Sequence, residues 1–192
     1  MGNVELNARN RRRNRNIQTA VLSTVALSGV IVVGAIAPNL VQLLALGKKS
    51  SRLKYQIPDV VHRLIAKKYL SFEKSSDGIS VRVTEAGEAV LALEQSKMAL
   101  HIQKKRRWDG RWRMVLFDIP ERRRQLRDRL RATMKEAGFC RVQDSVWMYP
   151  YECEEFIALL KQQLTLGSSV LYAVIESLEN DTKLRTHFKL TQ

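Results

Sequence analysis

The chain has 192 residues, of which 33 are lysine or arginine and 19 are aspartate or glutamate, so its net charge is +14. Its hydrophobic content of 45% can support one packed domain or two small ones, which argues against a wholly disordered chain. The sequence contains no P-loop, dinucleotide-binding glycine fingerprint, GxSxG or HExxH motif, so ATP-driven, dehydrogenase and hydrolase-triad chemistries lack support. The excess positive charge favours nucleic acid or an anionic membrane as the partner.

The cysteines and histidines do not form a pattern typical of a metal site. Cys140 and Cys153 form no CxxC pair, and each lies next to an apolar segment. We therefore expect both to be reduced and partly buried, in a cytoplasmic protein. The three histidines are far apart in the sequence and lack metal-ligand spacing.

The first 46 residues combine a basic arm with an uncharged stretch. Residues 1–16 are polar and rich in arginine, which predicts a disordered arm that contacts phosphates or flanks a membrane. Residues 17–46 contain no charged side chain. This stretch is interpreted as two buried helices, over 17–28 and 38–47. The alternative is a membrane anchor through residues 17–37, a length that can span a bilayer.

The next segment has the order of a winged-helix domain, predicted over residues 17–103. An amphipathic helix is predicted over 57–69, followed by a hairpin that turns at Asp77 and Gly78. Thr84 is predicted to cap a further helix that runs to about Gln103. In a winged-helix domain the third helix enters the major groove and the wing contacts the backbone. The basic residues expected to face DNA are Arg52, Lys54, Arg63, Lys67, Lys68 and Arg82.

A basic run that begins at Lys104 marks a predicted domain boundary near residue 104. Residues 104–192 then read strand, helix, strand, strand, helix, strand, which is the order of a ferredoxin-like fold. The predicted strands are 113–117, 139–142, 145–149 and 170–175, and the predicted helices are 121–137 and 152–164. The whole chain is therefore expected to be an α+β protein with two domains after the arm.

The first helix of this second half has an apolar and a basic side. Leu126, Leu130 and Met134 are predicted to point inward. The arginines predicted to point outward, where they would contact nucleic acid, are Arg123, Arg127 and Arg131.

The first and last strands of the second half are apolar on both faces. Because the helices of a ferredoxin-like fold cover only one face of the sheet, the other face needs a second copy, the N-terminal domain or the C-terminal tail. A homodimer is the simplest of these three arrangements.

Asp118 directly follows the strand 113–117 and precedes Ile119 and Pro120. A carboxylate at a strand end beside an arginine-rich helix can hold Mg²⁺ at a phosphodiester. It can equally cap the following helix by accepting hydrogen bonds from its free N–H groups, and this structural role is the one we favour.

The segment from Trp108 to Phe139, with the FDIP sequence and the arginine-rich helix, resembles the central domain of PaaX-like transcriptional repressors, as do Gln143, Ser145, Val146 and Trp147. That domain is itself similar to the CRISPR-associated protein 2 family. The N-terminal half resembles the winged-helix domain of PaaX-like proteins, including the step from Thr84 to Gly87. Full-length PaaX repressors are expected to have a further helical domain at the C-terminal side, and we expect no such domain within the sequence up to Gln192.

The resemblance implies a dimeric DNA-binding transcriptional regulator as the leading function, with duplex DNA as partner and no cofactor required for binding. It implies as the alternative a Mg²⁺-dependent endoribonuclease or endodeoxyribonuclease, or a structural subunit of CRISPR spacer acquisition that has an integrase as partner. In that alternative Asp118 is both the catalytic residue and the metal ligand. A membrane-anchored nucleic-acid-binding protein is the third hypothesis.

Overall fold

The structure is a computed structural model, and it describes residues 16–27, 31–32, 51–75, 78–103 and 107–190. The chain is an α+β protein whose sheets are antiparallel. It separates into two compact units, Met1–Leu91 and Ala92–Gln192. This division falls inside a helix, Glu85–Gln103, about a dozen residues before the boundary near residue 104 that the sequence predicts.

The first unit contains helices and a three-stranded antiparallel sheet in which the strand order is β1-β3-β2. Strand β1 pairs with β3 by placing Ile31 opposite Val81. The described elements, in chain order, are α1 (16–27), β1 (Ile31–Val32), α2 (Ser51–Ala66), β2 (Leu70–Ser75), β3 (Gly78–Val83) and α3 (Glu85–Gln103).

Residues 17–37 do not form one continuous helix. Helix α1 covers residues 16–27, and residues 31–32 are a strand of the sheet. Val21, Leu22 and Val25 of α1 are buried in the core of this unit. No helix in the described ranges is long and apolar enough to cross a bilayer. Residues 1–15 of the predicted arm and the predicted helix 38–47 lie outside the described residues.

Helix α2 begins at Ser51, earlier than the predicted residue 57, and Pro58 lies within it. It ends at Ala66 rather than at Tyr69, because Lys68 adopts a left-handed conformation with φ of 60°. The backbone N–H of Lys68 donates to Ile65 O at 2.8 Å and that of Tyr69 donates to Leu64 O at 2.9 Å, which closes the last turn. The predicted inward residue Leu64 is buried.

The predicted hairpin is confirmed, since β2 and β3 pair in antiparallel register from Leu70 opposite Val83 to Ser75 opposite Gly78. The turn residues 76–77 lie outside the described ranges.

Thr84 caps helix α3 as predicted. Its hydroxyl accepts a hydrogen bond from the N–H of Gly87 at 3.2 Å and donates one to Lys68 O at 2.6 Å. Gly87 is required here because a Cβ atom would lie 2.2 Å from the carbonyl oxygen of Tyr69. The start of α3 is therefore held tightly against the end of α2.

The second unit contains a four-stranded antiparallel sheet in which the strand order is β5-β6-β4-β7. Its strands agree with the predicted ones within about a residue, and β7 agrees at both ends. After the end of α3, its elements are β4 (Trp112–Phe117), a 3₁₀ helix (Glu121–Arg123), α4 (Arg124–Ala137), β5 (Cys140–Gln143), β6 (Val146–Tyr149), α5 (Glu154–Gln163), a second 3₁₀ helix (Gly167–Ser169), β7 (Val170–Ile175) and α6 (Thr182–Phe188).

Alternating residues of β4 serve the two faces of this sheet. Val115 and Phe117 lie in the main core with Leu130 and Phe156 of the two long helices. On the opposite face, Trp112 packs in a smaller cluster with residues of the C-terminal segment. Both faces of the sheet are therefore used, as the apolar pattern of β4 predicts.

Helix α6 was not predicted, and it supplies much of the cover for the second face. Leu184 is buried against Trp112 and Met148. The indole N–H of Trp112 donates to Asp181 at 2.9 Å, which fixes the start of α6 on the sheet. The cover predicted for this face of the sheet is a second copy, the N-terminal domain or the C-terminal tail. The C-terminal tail covers one part of it.

Candidate nucleic-acid interface

Three cations lie together at the end of α2, directly before the hairpin. Arg63, Lys67 and Lys68 are all exposed, and we call them the α2 cations. Arg63 donates from Nε to Asp59 O at 3.1 Å, and no carboxylate of the described ranges pairs with it. No described residue forms an ion pair with Lys67 or Lys68. These charges are therefore available to an external anion.

The other predicted cations of the first unit differ in their surroundings. Arg82 on β3 is exposed but pairs with Glu73 of β2 at 3.3 Å. This exposed pair is weak and can exchange Glu73 for a phosphate. Arg52 and Lys54 belong to the first turns of α2, but their side chains lie outside the described part of the structure.

The arginines predicted to project outward from the second unit are instead bound to the protein. Arg127 donates to Glu121 at 2.6 Å, and Arg131 donates to Asp144 O at 2.8 Å. Their side chains are only 21% and 26% exposed. Arg123, before the helix, donates to Thr165 O at 3.2 Å but remains exposed.

Helical geometry explains the enclosure of Arg127, and a contact with a core residue explains that of Arg131. Arg127 is three residues before Leu130, which places it about 60° from that core residue around the helix. Arg131 directly follows Leu130, and its guanidinium lies 5.8 Å from the ring centroid of Phe117. Both side chains border the core stripe and bend back over it.

Three exposed cations of this region were missed in the sequence. Arg122, Arg129 and Lys135 are exposed, and the described residues provide no ion-pair partner for them. A helical projection centred on Leu130 places Lys135 about 140° away, so the periodicity contained a usable signal for that residue, whereas Arg129 and Arg131 both lie about 100° from Leu130 and the projection does not separate them.

Asp118 is exposed at the end of β4, and its backbone N–H donates to Ser169 O at 2.9 Å. The prediction that its side chain caps the following helix is wrong. The 3₁₀ helix begins after Pro120 and α4 begins after Arg123, and neither has a side-chain cap. Within the described ranges no hydrogen bond or ion pair holds the Asp118 carboxylate.

The two acidic residues nearest in sequence to Asp118 are already bound. Hydrogen bonds from Arg113 lower the pKa of Asp109 below its usual value, and a hydrogen bond from Arg127 lowers that of Glu121. In the described ranges, no group of three or more His, Cys, Asp and Glu side chains could hold a metal ion. The described residues of a single chain therefore do not fit a Mg²⁺ site.

The side chain of Arg113 is buried and bonded to other groups of the protein. It is buried on β4 and donates to both carboxylate oxygens of Asp109, at 2.6 and 2.8 Å. It also donates to Pro150 O at 3.1 Å and lies 3.4 Å from Glu152. This cation is structural and cannot serve a ligand.

The cysteines carry no reactive thiolate. Both are free, and burial raises the pKa of Cys153 to about 12 and that of Cys140 above its usual value. They stay protonated at neutral pH, in agreement with the expectation of reduced, partly buried thiols.

Comparison with known proteins identifies one domain. Residues 105–186 match the family model for the PaaX protein central Cas2-like domain. No curated protein matched the chain. Among solved structures, the chain is similar to the uncharacterized protein Rv0674 from Mycobacterium tuberculosis, with 20% sequence identity and a TM-score of 0.37. That similarity covers 82% of this chain and 58% of the Mycobacterium protein, so the chain spans less than two thirds of the length of that relative.

The matched segment includes β4 with its FDIP end, the arginine-rich helix and all of β5, β6 and β7. These are the residues on which the sequence resemblance was based. Over residues 105–186 the chain therefore contains a domain that is similar to the PaaX central Cas2-like domain.

Proposed function

We propose that this protein is a dimeric DNA-binding transcriptional regulator of the PaaX type that acts in the cytoplasm. The observation that carries the proposal is the group of α2 cations, Arg63, Lys67 and Lys68, which are exposed beside a hairpin and lack carboxylate partners among the described residues. Unpaired surface cations release counterions when they bind phosphates, and this is the main source of affinity for nucleic acid.

The arrangement of the first unit supports a winged-helix reading. Its sheet joins the short strand β1 to the far strand of the hairpin, in the order β1-β3-β2. Helix α2 directly precedes the hairpin, as a recognition helix precedes a wing. In this reading α2 enters the major groove, and Arg82 on the hairpin contacts the phosphate backbone.

The second unit supports a ferredoxin-like reading in the same way. Its elements follow the order strand, helix, strand, strand, helix, strand, and its first and last strands are neighbours in the sheet. The role proposed for this unit is dimerisation, which would present two DNA-binding units to a two-fold symmetric site.

The surface available for dimerisation is the uncovered part of the second sheet face. The register places Val146, Leu116 and Leu171 side by side across β6, β4 and β7. Leu171 is 61% exposed, whereas the other end of this face is covered by the cluster of Trp112, Met148 and Leu184. An apolar row of this kind is stabilised when a second copy covers it.

Duplex binding and its dependence on salt test the proposal. Anisotropy of a labelled duplex should report binding at low ionic strength, with log K falling linearly against log salt concentration by about 0.9 per phosphate contacted. A peptide nucleic acid duplex, which lacks phosphates, is the matched control and should not bind. Absence of duplex binding at low salt contradicts the proposal.

Sedimentation tests the dimer separately. The wild-type protein should sediment as a dimer, and Leu171→Asp should shift it toward the monomer because a charge replaces an apolar contact. Val174→Asp, a half-exposed position on the same strand but on the other face, is the control. A monomeric wild-type protein contradicts the dimeric part of the proposal.

A metal-dependent nuclease is the second candidate, because the Asp118 carboxylate is exposed and has no partner among the described residues. One carboxylate per chain makes it depend on a second copy for the remaining ligands. Incubation with DNA and RNA, with Mg²⁺ or with EDTA, tests it. Cleavage that requires Mg²⁺ and disappears in Asp118→Asn supports this candidate, and equal behaviour of wild type and variant excludes it.

A further inference from the structure

A pocket of about 690 Å³ lies in the second unit, among the C-terminal half of α4, the start of β5 and the end of α6. Its most buried lining residues are Trp147 and Phe139, which are 4% and 5% exposed and form the floor. Tyr151 and Phe188, which are half-buried, line its sides. Its volume is within the range of small-ligand sites, and its walls are flat and aromatic.

The lining residues of this pocket include several cations and no aspartate or glutamate. Lys135 and Lys189 are exposed, and no described carboxylate pairs with them. Arg131 and Arg141 have acidic neighbours, Asp128 at 3.9 Å and Asp144. The C-terminal end of α4 adds only about half a negative charge, so the pocket remains positive and suits an anion.

Two donors near the pocket are unused. The indole N–H of Trp147 and the Nε–H of Arg131 are buried and have no hydrogen-bond partner within the described residues. Buried donors are nearly always paired in native proteins; the Nε–H groups of Arg113 and Arg127, which do not line the pocket, are also unpaired among the described residues, so the Trp147 indole is the donor that most distinguishes this site. Both observations agree with a ligand that carries oxygen or nitrogen acceptors.

The pocket is continuous with the surface of α4. Arg127, Arg131 and Lys135 follow one another at intervals of four residues, which places them in a row along the helix. The last two of these residues line the pocket. Because Arg127 and Arg131 already donate to protein oxygens, Lys135 is the exposed member of this row that can contact a phosphate at the pocket.

We propose that this pocket binds a nucleotide, with its base against the aromatic residues and its phosphate at Lys135 and Lys189. The base would come from an unpaired strand end or from a free nucleotide, since both combine a flat ring with a phosphate. The strand-end form rests on the proposed nucleic-acid function, whereas the free-nucleotide form is measurable without it. Aromatic side chains with nearby cations are the usual platform for unpaired bases.

Binding of tailed duplexes by the full chain tests the strand-end form. One duplex carries a short natural single-stranded tail and the other carries an abasic tail with the same number of phosphates, so that only the bases differ. The natural tail should bind at least about five-fold more tightly, as expected for base stacking on an aromatic residue. Ala132→Trp, an exposed pocket position that the new side chain would block, should reduce this ratio to about one.

The matched control is Ala158→Trp, which makes the same change at an exposed position of α5 outside the pocket and should retain the preference. Adenosine monophosphate, followed by saturation-transfer NMR, tests the free form and should lose its signal in Ala132→Trp. Binding of both ligands, or of the tail alone, supports the proposal.

Equal affinity for natural and abasic tails together with no monophosphate signal overturns the pocket proposal. So does a preference that survives in Ala132→Trp. Retained binding of the blunt duplex in those cases leaves the proposed function intact, whereas loss of all duplex binding with a persistent monophosphate signal contradicts the proposed function alone.

Discussion

The cations of α2 and those of α4 look alike in the sequence but differ in what holds them. Arg63, Lys67 and Lys68 at the end of α2 have no carboxylate partner among the described residues. Arg127 and Arg131 on α4 donate to protein oxygens at 2.6 and 2.8 Å and are largely enclosed. A count of positive residues therefore overstates the charge that a ligand can reach, and the position of each cation relative to the core decides its role.

The largest expected effect on stability concerns the most enclosed cation. Arg113→Ala should lower the free energy of unfolding by about 2 to 3 kcal/mol, because it removes a buried guanidinium with a partly exposed ion pair and several hydrogen bonds. Urea unfolding followed by circular dichroism measures it. Arg111→Ala, whose 3.7 Å pair with Glu176 is exposed, is the neighbouring control and should change stability by less than about 0.5 kcal/mol. Equal effects of the two substitutions would contradict the distinction between structural and free cations.

A smaller difference in stability is expected between substitutions of Arg131 and Arg129, which both lie on α4. Arg131→Ala should lower the free energy of unfolding by about 1 kcal/mol, since it removes a hydrogen bond to Asp144 O and the contact with Phe117. Arg129→Ala, at an exposed position two residues earlier, should leave it within about 0.5 kcal/mol of wild type. The same unfolding assay compares them, and a less stable Arg129 variant would reverse the assignment.

The smallest predicted effect is a loss of stability at acidic pH, which arises from Asp109. Hydrogen bonds from Arg113 hold the pKa of Asp109 below its ordinary value of 3.8. A carboxyl with a depressed folded pKa contributes stability above its unfolded pKa and loses it as the pH falls through the folded pKa. Stability should therefore decline below about pH 4, and Asp109→Asn should flatten that part of the curve. Thermal unfolding at a series of pH values between neutral and acidic measures this loss of stability. If Asp109→Asn loses stability below about pH 4 as the wild type does, the pair with Arg113 does not contribute.

Local signals in the sequence were enough to locate most elements of both units. The turn at Gly78, the cap at Thr84 and the left-handed Gly138 with φ of 93° at the end of α4 are each determined by neighbouring residues. The start of α2 was missed because Pro58 suggested a first turn, although the helix already extends from Ser51. Pro at a helix interior is uncommon, so the local rule favoured the wrong boundary.

The features that the sequence did not reveal depend on distant contacts. Helix α6 is short and is stabilised on the sheet by Leu184 and by the bond from Trp112 to Asp181, two residues far apart in the chain. The partners of Arg131 and Arg123 are backbone carbonyls of Asp144 and Thr165, which carry no sequence signature. Asp118 was expected to cap a helix, but the intervening Ile119 and Pro120 move the first helical turn out of its reach.

The most direct test compares the salt dependence of duplex DNA binding for two charge-matched double variants. We predict that Arg63→Ala with Lys67→Ala weakens binding about ten-fold or more at moderate salt and lowers the salt slope by about two. On a blunt duplex, which offers no unpaired strand to the proposed pocket, Arg127→Ala with Arg131→Ala removes the same charge but should leave the slope within about half a unit of wild type. Equal slopes for the first variant and the wild type would contradict the account, because the free cations of α2 would then make no phosphate contact.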